Sequence, residues 1–178
     1  MAPPGYRRLA HREIYSNPWV RADVHEIVHP TGAAGEHLLI ATGRASGVLV
    51  VERDHFIFAR QPRFAADRVV LEIVKGGAEE GESAEACAKR ELREELGLTA
   101  RTWTPLGEAY ELPSIVERPV ALFVARDLSR VPSAQESVEQ IHAVRMPIAE
   151  AFRAARDGGI DDAVTLAALL RFMLTSER

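Results

Sequence analysis

The 178-residue sequence is poor in three things, and each shortage excludes a class of protein. Cysteine occurs once, as Cys87, so there is no intrachain disulfide framework and the chain suits a reducing compartment. No apolar run approaches the length of a membrane span, and the opening MAPPGYRRLAHREIY has charge but no apolar stretch of signal-peptide length. A soluble, cytoplasmic protein with no membrane partner is expected. Positive charge is short as well: the formal net charge is −4, and no basic stripe with interleaved aromatics marks a nucleic-acid surface. Internal repeats, heptad seams and low-complexity tracts are missing too. The six histidines, His11, His25, His29, His37, His55 and His142, show no metal-ligand spacing such as H-E-x-x-H.

What is present fits one globular fold with a sizeable core, since 47% of the residues are hydrophobic. Residues 1 to about 12 are polar and read as a loose lead-in. Strands are expected at Trp19–Val28 and His37–Thr42 around the His29-Pro30-Thr31-Gly32 turn, then as a hairpin of Gly47–Val51 and His55–Arg60. Further strands are expected at Val69–Val74, Trp103–Leu112, Arg118–Asp127 and about Gln140–Arg145, with closing helices at Ile148–Arg156 and Asp162–Thr175. Mixed strands with a helix inserted between them read as an α/β or α+β sandwich. Residues 1–45 form a lead-in and strand pair, and 46–178 the main domain.

The chemistry is concentrated in Gly76–Leu98, reading GGAEEGESAEACAKRELREELGL. Ser83 can cap a helix, Glu85 suits its first turn and Gly97 its end, so a helix from about Ala84 to Leu96 is predicted. Ala84, Ala88, Leu92 and Leu96 make its apolar stripe. Glu91, Glu94 and Glu95 crowd a neighbouring face, repelling by roughly a few tenths of a kcal/mol per pair unless a cation sits among them. A divalent cation answers that need, and carboxylate oxygen suits Mg²⁺ or Mn²⁺, which share their shell with water and substrate phosphate. Glu82, in the preceding loop, either completes such a site or pairs with Arg90. Gly76, Gly77 and Gly81 let the backbone turn tightly and approach a ligand.

The segment matches G-x5-E-x7-R-E-U-x-E-E-x-G-U, with U apolar, at Gly76, Glu82, Arg90, Glu91, Leu92, Glu94, Glu95, Gly97 and Leu98. A chance match is on the order of 10⁻¹⁰ to 10⁻⁹ per window, so the pattern is specific. It resembles the Nudix box of the Nudix hydrolases. The resemblance implies an α/β/α sandwich with a mixed sheet, preceded by an N-terminal antiparallel strand extension. It also implies hydrolysis of a nucleoside diphosphate linked to another moiety X. Glu91 and Glu95 would be direct metal ligands, with Glu94 for support or a third metal, Glu82 nearby and the Lys75 carbonyl as a further donor. Arg90 is counted with the catalytic residues. The base that takes the water's proton is expected in a later loop, at Glu139 or, second, Glu136.

Outside the box, Phe58–Phe64, the stretch Val70–Gly76 and Pro113, fifteen residues past Leu98, resemble the ADP-ribose pyrophosphatase branch. By that resemblance Arg63, with Arg60 second, would bind diphosphate oxygens, because a guanidinium fork suits phosphate. Glu72 would accept from ribose hydroxyls or adjust the metal site, Gly76, Gly77 and Pro113 would border the substrate, and Tyr15, Trp19 or Phe64 would stack on adenine. The small-molecule partner would be a nucleotide. The branch also implies a homodimer joined through Trp19–Thr42. Val74-Lys75 departs from the usual Pro-Ala, resembles members acting on varied ADP compounds, and places a cation near the substrate. Other nucleoside diphosphate derivatives (dinucleoside polyphosphates, NADH, nucleotide sugars, nucleoside triphosphates) and a non-catalytic ligand-binding module are the alternatives.

Overall fold

The structure, a computed structural model, describes residues 5–132 and 140–176. Glu136 and Glu139 lie outside the described residues. The chain divides into two compact units, residues up to 43 with 110–119, and residues 44–109 with 120 onward.

The first unit is a sheet in the order β1-β2-β3-β9, from β1 (Arg7–Ser16), β2 (Arg21–Val28), β3 (Ala34–Ala41) and β9 (Val116–Glu117). β1 corrects the expected lead-in, because residues 7–12 are strand. All ten of its residues are exposed, so no hydrophobic alternation betrays it, and its antiparallel ladder to β2 defines it instead. The turn between β2 and β3 falls at the expected site, with Gly32 at φ 87 and its N–H on the His29 carbonyl.

His11, His25 and His37 stand in one row across β1, β2 and β3. The rings of His11 and His25 stack with centroids 5.2 Å apart. Burial, then the charges of Arg8, His11 and His37, push His25 below its ordinary 6.5, against the opposing pull of Asp23. Folding therefore favours the neutral imidazole, so its contribution is intact above pH 6.5 and is lost as pH falls through 6.5 and the lower folded value. Urea midpoints of the wild type are expected to fall between pH 7.5 and about 5.5, and to fall less in His25→Leu. Parallel profiles for the two proteins would remove His25 as the cause.

The second unit holds a mixed sheet in the order β11-β5-β4-β10-β8, from β11 (His142–Pro147), β5 (His55–Arg63), β4 (Ala45–Glu52), β10 (Pro119–Arg130) and β8 (Leu98–Tyr110). β6 (Arg68–Glu72) pairs with β5 and β7 (Val74–Gly77) with β4. The single strand expected over 69–74 is thus two, broken at Ile73, because its halves have different partners. β4 and β5 form the predicted hairpin, turning through Arg53 at φ 56.

β4 reads as an unbroken apolar run because both its faces are covered. Val48 and Val50 pack with Ile57, Val74 and Phe123 against Ala88 and Leu92 of α1 (Ala84–Leu96). Leu49 and Val51 pack with Phe56, Phe58 and Leu122 against α2 (Ile148–Arg156) and α3 (Ala163–Ser176), through Ala151, Leu169 and Phe172. Helices therefore cover both faces of one mixed sheet, which is the α/β/α sandwich the resemblance implies. Among the described residues no helix is long and apolar enough to cross a membrane.

Candidate active site

Helix α1 has the bounds its sequence dictates. The Ser83 hydroxyl accepts from the Ala86 N–H at 3.2 Å, and Gly97 ends the helix at φ 60, donating to the Arg93 carbonyl. Ala88 and Leu92 are fully buried, which fixes the rotation of the helix on the sheet. One turn of that rotation carries acid inward: Glu91 is 9% and Glu95 5% exposed. Buried carboxylates are rare unless paired or metal-binding, so both acids call for a partner on this face.

Arg90 is the hub of this face. Its Nε and Nη2 donate to the two Glu82 oxygens at 3.1 and 3.0 Å, and Nη1 donates to Glu91 Oε1 at 2.7 Å and Glu94 Oε2 at 2.8 Å. Nη2 also reaches the Gly77 carbonyl at 2.7 Å. The Glu82 hydrogen bonds, then those to Glu91 and Glu94, hold the guanidinium charged far above any working pH, and Arg90 in turn lowers the Glu82 carboxyl. Of the two roles open to Glu82, the structure shows the pair with Arg90. Arg90 itself ties loop, strand and helix together. Arg90→Lys keeps the charge but loses the fork. The expected result is a melting temperature several degrees lower and a kcat reduced by at least about tenfold, as supporting partners of a metal site show. Wild-type values in both measurements would dismiss the hub.

Gly76 explains its own identity. A Cβ there would stand 2.0 Å from the Glu91 carboxylate, so the acid lies directly on the β7 backbone. At Gly77 an added Cβ meets nothing within 4 Å, yet its carbonyl serves Arg90. Cys87 is wholly buried, burial pushes its thiol up, and Sγ points at the Gly76 carbonyl at 3.6 Å, which suits the expected buried filler. The outer side of Arg90 and Glu94 opens onto a depression of about 500 Å³ lined also by Lys89, Arg93 and Thr99.

A second network lies behind the strand. Arg63 Nε donates to Glu72 Oε1 at 2.6 Å, and Lys75 Nζ stands 2.9 Å from Glu72 Oε2 and 2.5 Å from Asp162 Oδ1. Burial alone would lower the Lys75 ammonium, but Glu72 and Asp162 outweigh it and raise it. The lysine expected to face the substrate as a spare cation is thus engaged by two carboxylates, and both oxygens of the buried Glu72 already accept. Asp162 was not singled out by its spacing; the available signal was an acidic N-cap three residues before Thr165, ahead of an apolar run. Arg60 is exposed on β5, opposite His142 and Leu71. Pro113 belongs to the 110–119 segment of the first unit. Tyr15, Trp19 and Phe64, the candidate adenine platforms, are 56%, 77% and 102% exposed.

Among the described residues no three His, Cys, Asp or Glu side chains stand converged as a ready metal cage. Mg²⁺ does not need one, because it keeps several waters and takes one or two protein carboxylates with substrate phosphates completing its shell. Two inward carboxylates one turn apart, one lying on a glycine that leaves no room for a side chain, fit a hard divalent ion.

The site's two buried carboxylates thus lie on a helix that covers one face of a three-layer sandwich. The NUDIX domain family matches residues 41–169. The chain belongs to the Nudix hydrolase family, whose members generally use divalent metal ions, and it is a pyrophosphohydrolase. It is 28% identical to the ADP-ribose pyrophosphatase of Bacillus subtilis (strain 168) over 166 residues, spanning 92% of this chain and 90% of that protein. It is 30% identical to the ADP compounds hydrolase NudE of Escherichia coli (strain K12) over 129 residues, spanning 72% and 69%. A crystal structure of an ADP compounds hydrolase superposes with a TM-score of 0.87 at 21% identity, covering 99% of this chain and 97% of that one, so the fold is shared.

Proposed function

We propose that this enzyme is a Mg²⁺-dependent pyrophosphatase that hydrolyses the diphosphate of ADP-ribose or a related ADP-X compound, giving AMP and X-phosphate. The observation that carries the reading is the buried Glu91 carboxylate seated on Gly76, one turn from buried Glu95. Glu91 and Glu95 would hold the ion, with Glu94 and the Lys75 carbonyl beside them. When bound, Mg²⁺ neutralises diphosphate oxygens and lowers the pKa of a coordinated water. Arg90 keeps Glu82, Glu91 and the Gly77 carbonyl in register, so the ligands need not reorganise when substrate arrives. Arg63, 40% exposed and held by Glu72, offers its outer N–H groups to phosphate oxygens. A carboxylate in the later loop takes the water's proton; Glu139 is the assignment and Glu136 the second.

The ADP-X class is supported by the relatives named above, one of which is called an ADP-ribose pyrophosphatase and another an ADP compounds hydrolase. Val74-Lys75 in place of Pro-Ala favours a broader range of X than ribose phosphate alone. The enzyme is further proposed to be a cytoplasmic homodimer using the first unit's strands, where Leu9, Ile14 and Tyr15 leave apolar surface exposed.

The test is a product assay with Mg²⁺ against ADP-ribose, NADH, diadenosine polyphosphates, nucleotide sugars and nucleoside triphosphates. Highest kcat/KM on an ADP-X diphosphate with AMP among the products is expected. Preference for nucleoside triphosphates with pyrophosphate release, or no turnover of any compound, overturns the reading.

A further inference from the structure

The β6–β7 break at Ile73 lies three residues before Gly76, and it is held from the first turn of α3. Ile73 is wholly buried, and its N–H donates to Thr165 Oγ1 at 2.9 Å. A buried N–H without such an acceptor is costly, so this bond fixes where the chain leaves one strand pairing for the next. Thr165, also wholly buried, donates its hydroxyl hydrogen bond to Asp162 Oδ2 at 2.7 Å, and the same oxygen accepts the Thr165 N–H at 2.8 Å. Up to this point Asp162 is an ordinary helix cap. Its other oxygen goes further and takes Lys75 Nζ at 2.5 Å. One carboxylate therefore governs both the main chain of residue 73 and the side chain of residue 75, on either side of Val74.

The next residue is Gly76, where an added Cβ would stand 2.0 Å from the Glu91 carboxylate. We propose that Asp162 and Thr165 are positioning residues for the metal site: through Ile73 and Lys75 they set the register of Lys75-Gly76 beneath Glu91. A cap needs only one oxygen, and burying a lysine ammonium on the second serves no capping purpose. What the arrangement does is clamp the backbone that leads into the glycine beneath the acid. This rests on the reading of Glu91 and Glu95 as metal ligands given above.

The experiment measures Mn²⁺ binding to the substrate-free protein by electron paramagnetic resonance, alongside kcat and KM with Mg²⁺, in wild type, Asp162→Asn, Thr165→Val and Thr165→Ser. Asp162→Asn retains a cap but not the anion under Lys75. Thr165→Val removes the acceptor for Ile73, and Thr165→Ser restores it. Expected are Mn²⁺ binding weakened by at least about tenfold in Asp162→Asn and Thr165→Val, a lower kcat at little-changed nucleotide KM, and recovery in Thr165→Ser. A purely structural role would lower the melting temperature while the folded protein binds Mn²⁺ and turns over as wild type does, and that result overturns the proposal alone. A wild type that binds no Mn²⁺, or a Glu95→Gln variant that binds it as wild type does, overturns the metal-site reading and this proposal with it. Should Asp162→Asn fail to fold, the Thr165→Val and Thr165→Ser pair decides by the same measurements.

Discussion

Glu95→Gln is expected to lower kcat on an ADP-X substrate by roughly two to four orders of magnitude, about 3–5 kcal/mol of transition-state stabilisation. The amide keeps the volume of a side chain that is only 5% exposed, so packing on α1 is preserved. What disappears is the anion. Glu91 and Glu95 stand at i and i+4, where like charges oppose the helix, so without metal the variant should melt at the wild-type temperature or slightly above it. Loss of activity with retained or raised stability separates a metal ligand from a structural acid. On the proposed role as ligand to an ion that stabilises the transition state, kcat and kcat/KM should fall together. Unchanged turnover would show that Glu95 is not a ligand.

Gly76→Ala should be as damaging, for a reason of geometry. The new methyl would lie 2.0 Å from the Glu91 carboxylate, inside any permissible contact. The carboxylate is the end of a side chain and could swing aside, but Arg90 Nη1 holds it at 2.7 Å, so moving it breaks the hub as well as the proposed metal site. We expect a stability loss of about 1–3 kcal/mol, the usual cost of forcing extra volume into a packed site. The drop in kcat should be at least about a hundredfold, from the displaced ligand. Gly77→Ala is the control, since an added Cβ there meets nothing within 4 Å. Equal losses in the two variants would show that general strand flexibility, not the Glu91 contact, is what matters at Gly76.

How much of this was legible in the sequence depends on how local the physics is. The ends of α1 were readable because Ser83 and Gly97 act within one turn of themselves, and both do so as expected. The β4–β5 hairpin followed from an apolar run beside a short turn. β1 was not readable, since a strand whose ten residues are all exposed carries no alternation and is defined only by its partner. The break at Ile73 was hidden for a similar reason: apolar residues continue through it, and what ends one pairing is a threonine hydroxyl 92 positions away. Lys75 shows the same limit at the site, because its role is decided by Asp162, 87 residues later, rather than by its neighbours in the box. Arg90 lay between these extremes. Its spacing to Glu82 suggested a pair, while its simultaneous hold on Glu91, Glu94 and the Gly77 carbonyl needed the fold.

The most direct measurement is phosphorus NMR of ADP-ribose incubated with the wild-type enzyme and Mg²⁺, repeated after chelation with EDTA. Cleavage between the two phosphorus atoms by the α1 carboxylate site requires the diphosphate resonances to be replaced by two phosphate-monoester resonances, those of AMP and ribose phosphate, with the conversion stopped by EDTA. Diphosphate resonances that persist with Mg²⁺, or a conversion that continues undiminished in EDTA, would contradict it.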